Sequence, residues 1–267
     1  VTTPETKSAP NALGCKLHFE FALLGTESVV SSNSGLMSYS SAENGKKAQN
    51  ARPDSEACFI GSFGTMPGVE KKADQTFLWR NGARQNSNNT SMVGHRIGDY
   101  PSTIITLPTV PKLPLPEVPK APASAYRVDS VPSDCGSGDY IVANSKLSDL
   151  KDLDGLVRVF LQQVKITKGP ALEISGIVNN VPRDMERPGR ANVTFAGKPQ
   201  ALQIFYDGDG IIKFNDNTKF IGIIYAPRAR VELGRCEVRG AIIARDIVSE
   251  GLTAVYFDRE LLKINEW

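Results

Sequence analysis

Asp207 and Asp209 stand two residues apart in the segment Tyr-Asp-Gly-Asp-Gly, with Asn215, Asp216 and Asn217 following. Such side chains supply the hard oxygen ligands that calcium prefers, which makes Asp207 and Asp209 the calcium candidates of this chain. The Asp-x-Asp-x-Asp/Asn-Gly run and closing Glu of a calcium hand are missing. Asp, Gly and Asn also populate tight turns, and a turn is the reading preferred for this segment. No other cofactor is expected.

Cys15, Cys58, Cys135 and Cys236 form an even set with no C-x-x-C pair and only His18 and His95 to help them hold a metal. Disulfides therefore fit better than zinc. Three pairings are open; pairing within each half, Cys15 with Cys58 and Cys135 with Cys236, is the expectation, against four buried free thiols as the alternative. The nucleophile elbow G-x-S-x-G, the zinc motif H-E-x-x-H and the phosphate loop G-x-x-x-x-G-K-[ST] do not occur. Polysaccharide cleavage by two facing carboxylates needs a geometry that linear sequence does not reveal. The chain reads as non-enzymatic.

The elements that must position these residues are short and strand-like. Of 267 residues 40% are hydrophobic and 22% charged, enough to fold around a sizeable core. Thirty-one Lys and Arg against 29 Asp and Glu leave a formal charge of +2. This balance argues against a nucleic-acid or anionic-membrane binder. The longest apolar run, Phe220 to Ala226, has seven residues, far below the roughly 20 of a membrane span. The chain begins with Val and shows no basic-then-apolar leader, so it reads as a processed or trimmed chain of an exported protein.

In the first half Leu17, Phe19 and Phe21 alternate with Lys16, His18 and Glu20, the period of a half-buried strand. Further strands are expected at 28–30, 36–40, 58–63, 77–79 and 92–97. Prolines 108, 111, 114, 116, 119 and 122 recur every two or three residues, as in an extended polyproline II segment packed against the chain itself. After it, strand-like runs succeed one another, and a helix is expected only at 145–156, where Leu147, Leu150 and Leu153 recur at threes. The chain thus divides into a flexible tail (1–14), a β-rich N-terminal part of a solenoid (15–99), the proline-rich extended segment (100–125) and a C-terminal β-helix (126–267).

Phe220-Ile-Gly222-Ile-Ile224-Tyr-Ala226 matches Val238-Arg-Gly240-Ala-Ile242-Ile-Ala244 at a constant offset of 18 residues. A fixed offset in a strand-rich region predicts solenoid coils, hence an all-β parallel β-helix with coils of roughly 18 residues. A β-sandwich is the alternative. Phe220 would stack on Val238 and Ile224 on Ile242 inside, with Gly222 over Gly240 allowing a bend. Ile221, Ile223, Tyr225, Ala241 and Ile243 would then face outward as an apolar strip. That strip needs a cover, from the proline-rich segment or a neighbouring subunit, and is the expected interaction surface.

FIGIIYAPRA from Phe220, RGAIIARDIVSEG from Arg239 and VYFDREL from Val255 resemble the C-terminal motif of an uncharacterised bacterial β-solenoid domain of exported surface, pilus-assembly-associated and polymer-forming proteins. LLGTESVVSSNSGLMSYSS, 23–41, resembles that family's N-terminal stretch, with Ser40 in place of its Asp. The resemblance implies a non-enzymatic structural protein at the cell surface or outside the cell, a subunit or decoration of a filament or surface layer. Self-association or other surface and filament proteins are the implied partners. A carbohydrate-binding adhesin and a polysaccharide-active β-helix enzyme are the alternatives, with a polysaccharide as their ligand. The arginines 228, 230, 235, 239 and 245 among acidic neighbours read as a salt-bridged face. Asn88-Asn-Thr and Asn192-Val-Thr fit the N-glycosylation pattern, read as accidental in a bacterial chain.

Overall fold

The structure is a computed structural model and describes strands within 21–31, 35–39, 59–62, 75–80, 83–85, 92–94 and 110–111. From there it describes residues 115–143, 146–150, 153, 155–162, 169–179, 197–249, 253–258 and 260–261. The strands before the proline-rich stretch are β1 (Phe21–Ser31), β2 (Gly35–Tyr39), β3 (Phe59–Ser62), β4 (Gln75–Arg80), β5 (Ala83–Gln85), β6 (Met92–Gly94) and β7 (Val110–Pro111). Those after it are β8 (Tyr126–Val128), β9 (Gly138–Val142), β10 (Lys146–Ser148), β11 (Val157–Leu161), β12 (Leu172–Ser175), β13 (Ile177–Val178), β14 (Leu202–Phe205), β15 (Ile211–Phe214), β16 (Lys219–Leu233), β17 (Glu237–Ser249) and β18 (Ala254–Asp258). Helical geometry is confined among the described residues to the 3-10 turn Pro199–Ala201 and to 3-10 residues at 260–261.

Nearly every pairing is parallel, and the parallel strands wind into a β-helix. β16 shows the shape of one coil, because it pairs with three strands in turn: β13 at Lys219 and Phe220, β14 at Ile223 to Tyr225, and β15 at Arg230 to Leu233. Each coil therefore has three short sides. β17 stacks on β16 with Phe220 opposite Val238, Gly222 opposite Gly240 and Ile224 opposite Ile242, the register that the 18-residue offset predicts. Elsewhere the coils vary: Ile204 pairs with Ile224, 20 residues on, while Val157 pairs with Leu202, 45 residues on.

The corner between the third and first sides depends on Gly240, whose φ of +129° lies in the region L-residues avoid, and a methyl group there would meet the Gly222 carbonyl oxygen. A second corner rests on Asn179, fully buried with φ 56°. Its amide nitrogen donates to the carbonyls of Ile221 (2.9 Å) and Lys198 (3.2 Å), and its Oδ1 accepts from the Leu153 amide (3.2 Å). One side chain thereby satisfies backbone groups of three loops, which would otherwise be costly to bury.

The helix expected at 145–156 does not form. Lys146–Ser148 is strand β10, paired with β12, and Leu147 and Leu150 point into the core at 2% and 1% exposure. Asp149 adopts φ 50°, outside the helical region, and its Oδ1 accepts from the Ile177 amide 28 residues on, which ties it to the next coil. The leucine spacing thus follows a loop that wraps a coil. The strands expected at 164–166 and at 17–20 lie outside the described residues.

The N-terminal strands do not precede the stack. On the first side the order is β3-β1-β17-β16-β14-β11-β9-β8, so β1 lies beside β17, and on the third side β2 pairs with β18. The first strands of the chain continue the stack where its last strands end. β7 and β8 lie at opposite ends of the strand order, so the chain joining them crosses the whole sheet. Nine strand steps of about 4.8 Å amount to about 43 Å. The described part of that connection, 115–125, packs Leu115, Val118 and Ala121 on the core and then turns, the Ala125 amide donating to the Pro122 carbonyl at 3.0 Å.

Candidate functional site

The first side carries the apolar strip of the sequence analysis. Ile221, Ile223, Tyr225, Ala241 and Ile243 are all between 0% and 2% exposed, so the strip is not a free surface of the folded chain. The Tyr225 hydroxyl donates to the Pro116 carbonyl at 2.5 Å, and Leu115, Val118 and Ala121 pack on the same core. By strand alternation the face of Tyr225 also carries its register neighbours Phe205, Phe160, Ile141 and Ile243. The Phe160 and Phe205 rings stack at 5.2 Å between centroids. The proline-rich strap thus runs over an aromatic ladder, and the five residues lie under the chain itself.

The second side is polar. Lys146, Glu173, Lys213 and Glu232 stand opposite one another on successive strands, a column of alternating sign. Ile211, Arg230, Asp246 and Ser28 form the next column. Three carboxylates of these coils have arginine partners. Asp139 receives both Nε (2.5 Å) and Nη2 (3.0 Å) of Arg158, Glu232 pairs with Arg230 (2.9 Å), and Glu237 with Arg239 (2.7 Å). The Arg239 guanidinium also lies 4.3 Å from the centre of the Tyr256 ring.

Asp207 pairs with Arg228 at 2.9 Å, both more than half exposed. The turn folds back over Tyr206, whose hydroxyl accepts from the Gly210 amide at 3.3 Å. No group of three or more His, Cys, Asp and Glu close enough to hold a metal exists among the described residues. The Asp207–Asp209 segment is tied down by Tyr206 and Arg228.

The expected Cys135–Cys236 disulfide is absent, and both thiols are free. Cys135 precedes β9 and Cys236 precedes β17, four strand steps apart, about 19 Å along the stack. A disulfide tolerates at most about 7 Å between Cα atoms. Cys15 and Cys58 lie outside the described residues, as do both glycosylation triplets and both histidines. Burial pushes the Cys236 thiol up to about 12, although Thr253 hydrogen-bonds to it. Burial also raises that of half-buried Cys135. At pH 8 a thiol of pKa about 12 is thiolate in roughly one molecule in ten thousand. Iodoacetamide on the native protein, followed by peptide mass spectrometry, should therefore label Cys135 first and leave Cys236 unmodified until the chain unfolds. A Cys135–Cys236 cross-linked peptide would contradict this placement.

What the sequence did not indicate is the junction of β1 with β17. Leu23, Leu24 and Gly25 stand opposite Ile242, Ile243 and Ala244, and Ser28 to Ser31 opposite Asp246 to Ser249. Between the two runs β1 bulges, and at Gly25 a methyl group would meet the Ser28 carbonyl oxygen. Ser28 Oγ donates to Asp246 Oδ1 at 2.6 Å, and Thr26 Oγ1 reaches past β17 to the Pro227 carbonyl on β16 at 3.0 Å. Burial works to raise the Asp246 carboxyl, but hydrogen bonds from Ser28 and Arg245 and the charges of Arg245 and Arg230 outweigh it and hold the group below its ordinary value. A carboxyl lowered in the folded state contributes stability that is complete above the unfolded value and lost as pH falls through the folded one. The melting temperature should fall as acid protonates Asp246, and Ser28→Ala should flatten that part of the curve. An unchanged curve would remove Asp246 from the junction.

Residues 126–264, just over half the chain, match the family described as Domain of unknown function (DUF7305). No curated protein matches the chain. Among solved structures the chain is similar to the Shewanella frigidimarina ice-binding protein_1 DUF3494 domain, at 13% identity and a TM-score of 0.37, over 94% of this chain and 100% of that one.

Proposed function

The chain belongs to the DUF7305 family, a domain of unknown function, and from that premise we propose that it is a non-enzymatic structural module of an exported surface assembly, a β-helical rod within a filament or surface layer. One observation carries this reading: on the first side of the central coils the sheet is covered on both faces by the chain itself. Residues 220–226 and 238–244 are buried without a break, with the strap joined to Tyr225 through the Pro116 carbonyl. The carboxylates described above, bound to arginines, agree with a scaffold and not with a pair held ready for acid and base work.

Electron micrographs and sedimentation of the purified full-length chain test the reading. Ordered filaments or layers growing with concentration are expected. A chain that stays monomeric throughout and retains a glycan on an array would favour the adhesin, and released oligosaccharide products would favour the enzyme. Either result overturns the proposal.

A further inference from the structure

We propose that the edge formed by β17 and β18 is a strand-acceptor site, filled within one molecule by β1 and β2 of its own chain and, in an assembly, by β1 and β2 of a second copy. This deepens the structural reading above and rests on it. The family match covers 126–264, a unit whose stack ends at β17 and β18. Without β1, the edge of β17 would expose a row of backbone donors and acceptors. Beside them would lie Ile242, Ala244 and Ile247, each fully buried in the folded chain. Such an edge demands a strand.

β1 is shaped for that place. Its bulge between Gly25 and Ser28 turns the corner that β17 turns between Ala244 and Asp246, so one strand pairs on two sides of the coil. β2 then pairs with β18 from Gly35 opposite Ala254 to Tyr39 opposite Asp258. The hydrogen bonds at the junction join residues 201 and 218 positions apart. None of these contacts depends on which copy donates β1. The choice between own chain and neighbour is set by effective concentration through the linker, the situation in which exchange of an element between copies is a low-cost route to assembly. Reciprocal exchange closes a dimer, and head-to-tail exchange extends a filament along the solenoid axis.

Full-length Ser28→Cys and Asp246→Cys variants, mixed, concentrated and oxidised, test the exchange. Register partners on adjacent parallel strands lie within disulfide reach. A Ser28→Cys mixture with Lys213→Cys is the control, because β15 is two strands from β17 on that side. Covalent mixed dimer should rise with concentration to at least about fivefold above the control. A single chain carrying both cysteines should close an intramolecular bond. The register pair Val30 and Val248 provides a second cross-link that leaves the Asp246 hydrogen bonds intact. Sedimentation showing assembly without mixed dimer at either pair would overturn the exchange and leave the structural module standing. Neither assembly nor mixed dimer would overturn both. A double variant that fails to close would remove the β1–β17 pairing itself.

Discussion

Ile223→Lys combined with Ile243→Lys should unfold the protein. Both side chains are buried, at 0% and 2% exposure. Each substitution forfeits about 1.5–3 kcal/mol of apolar burial. It also places an ammonium ion in a packed layer, where the penalty is several kcal/mol unless a partner charge is at hand. Together the losses match the roughly 5–15 kcal/mol by which domains are stable. Circular dichroism and sedimentation should show an aggregated chain without a cooperative melt. Ser124→Lys, at an exposed turn position, should stay within about 0.5 kcal/mol of the parent. A soluble, folded double variant would mean that the strap does not seal the first side.

Gly240→Ala is the second large effect, although it adds a single carbon. Its φ of +129° strains any L-residue, and the new methyl group meets the Gly222 carbonyl on the neighbouring coil. Strain of this kind is worth about 1–3 kcal/mol, and overpacking adds about 1–3 more. A loss of roughly 2–6 kcal/mol in urea unfolding is expected. A change below about 0.5 kcal/mol would show that the corner between the third and first sides relaxes freely.

The legible part of the fold was local. The 18-residue offset was readable because stacked coils repeat apolar residues and glycines at equivalent positions, and the Phe220–Val238 register follows directly. Within the described part of the proline-rich stretch, Pro116 meets the hydroxyl of Tyr225, while the chain turns at 122–125 where the spacing alone suggested continued extension. Alternation, however, divides a strand into an inner and an outer face only when one face meets water. With a strap outside and a core inside, Ile223 and Ile224 look alike in sequence.

The helix expected at 145–156 arose from the same ambiguity, because leucines at threes suit a helix and also a loop that returns to one core. The β1–β17 pairing leaves no signature, since a parallel strand 219 residues from its partner has no turn to announce it. Asn179 had no signal either, because the Asn179-Asn180 pair reads as a turn until the carbonyls of Ile221 and Lys198 are seen around the first of them. Cysteine parity suggested a pair that the stack holds four strands apart.

Native-state hydrogen exchange compares the N-terminal coil most directly with the stack it completes. If β1 is an integral coil of the solenoid, amides in 21–31 and 237–249 should open with the same free energy, near that of global unfolding. They should also lose protection together when urea is added. Rapid exchange of 21–31 beside a still protected 237–249 would contradict this, and would show that the stack is complete without the N-terminal strand.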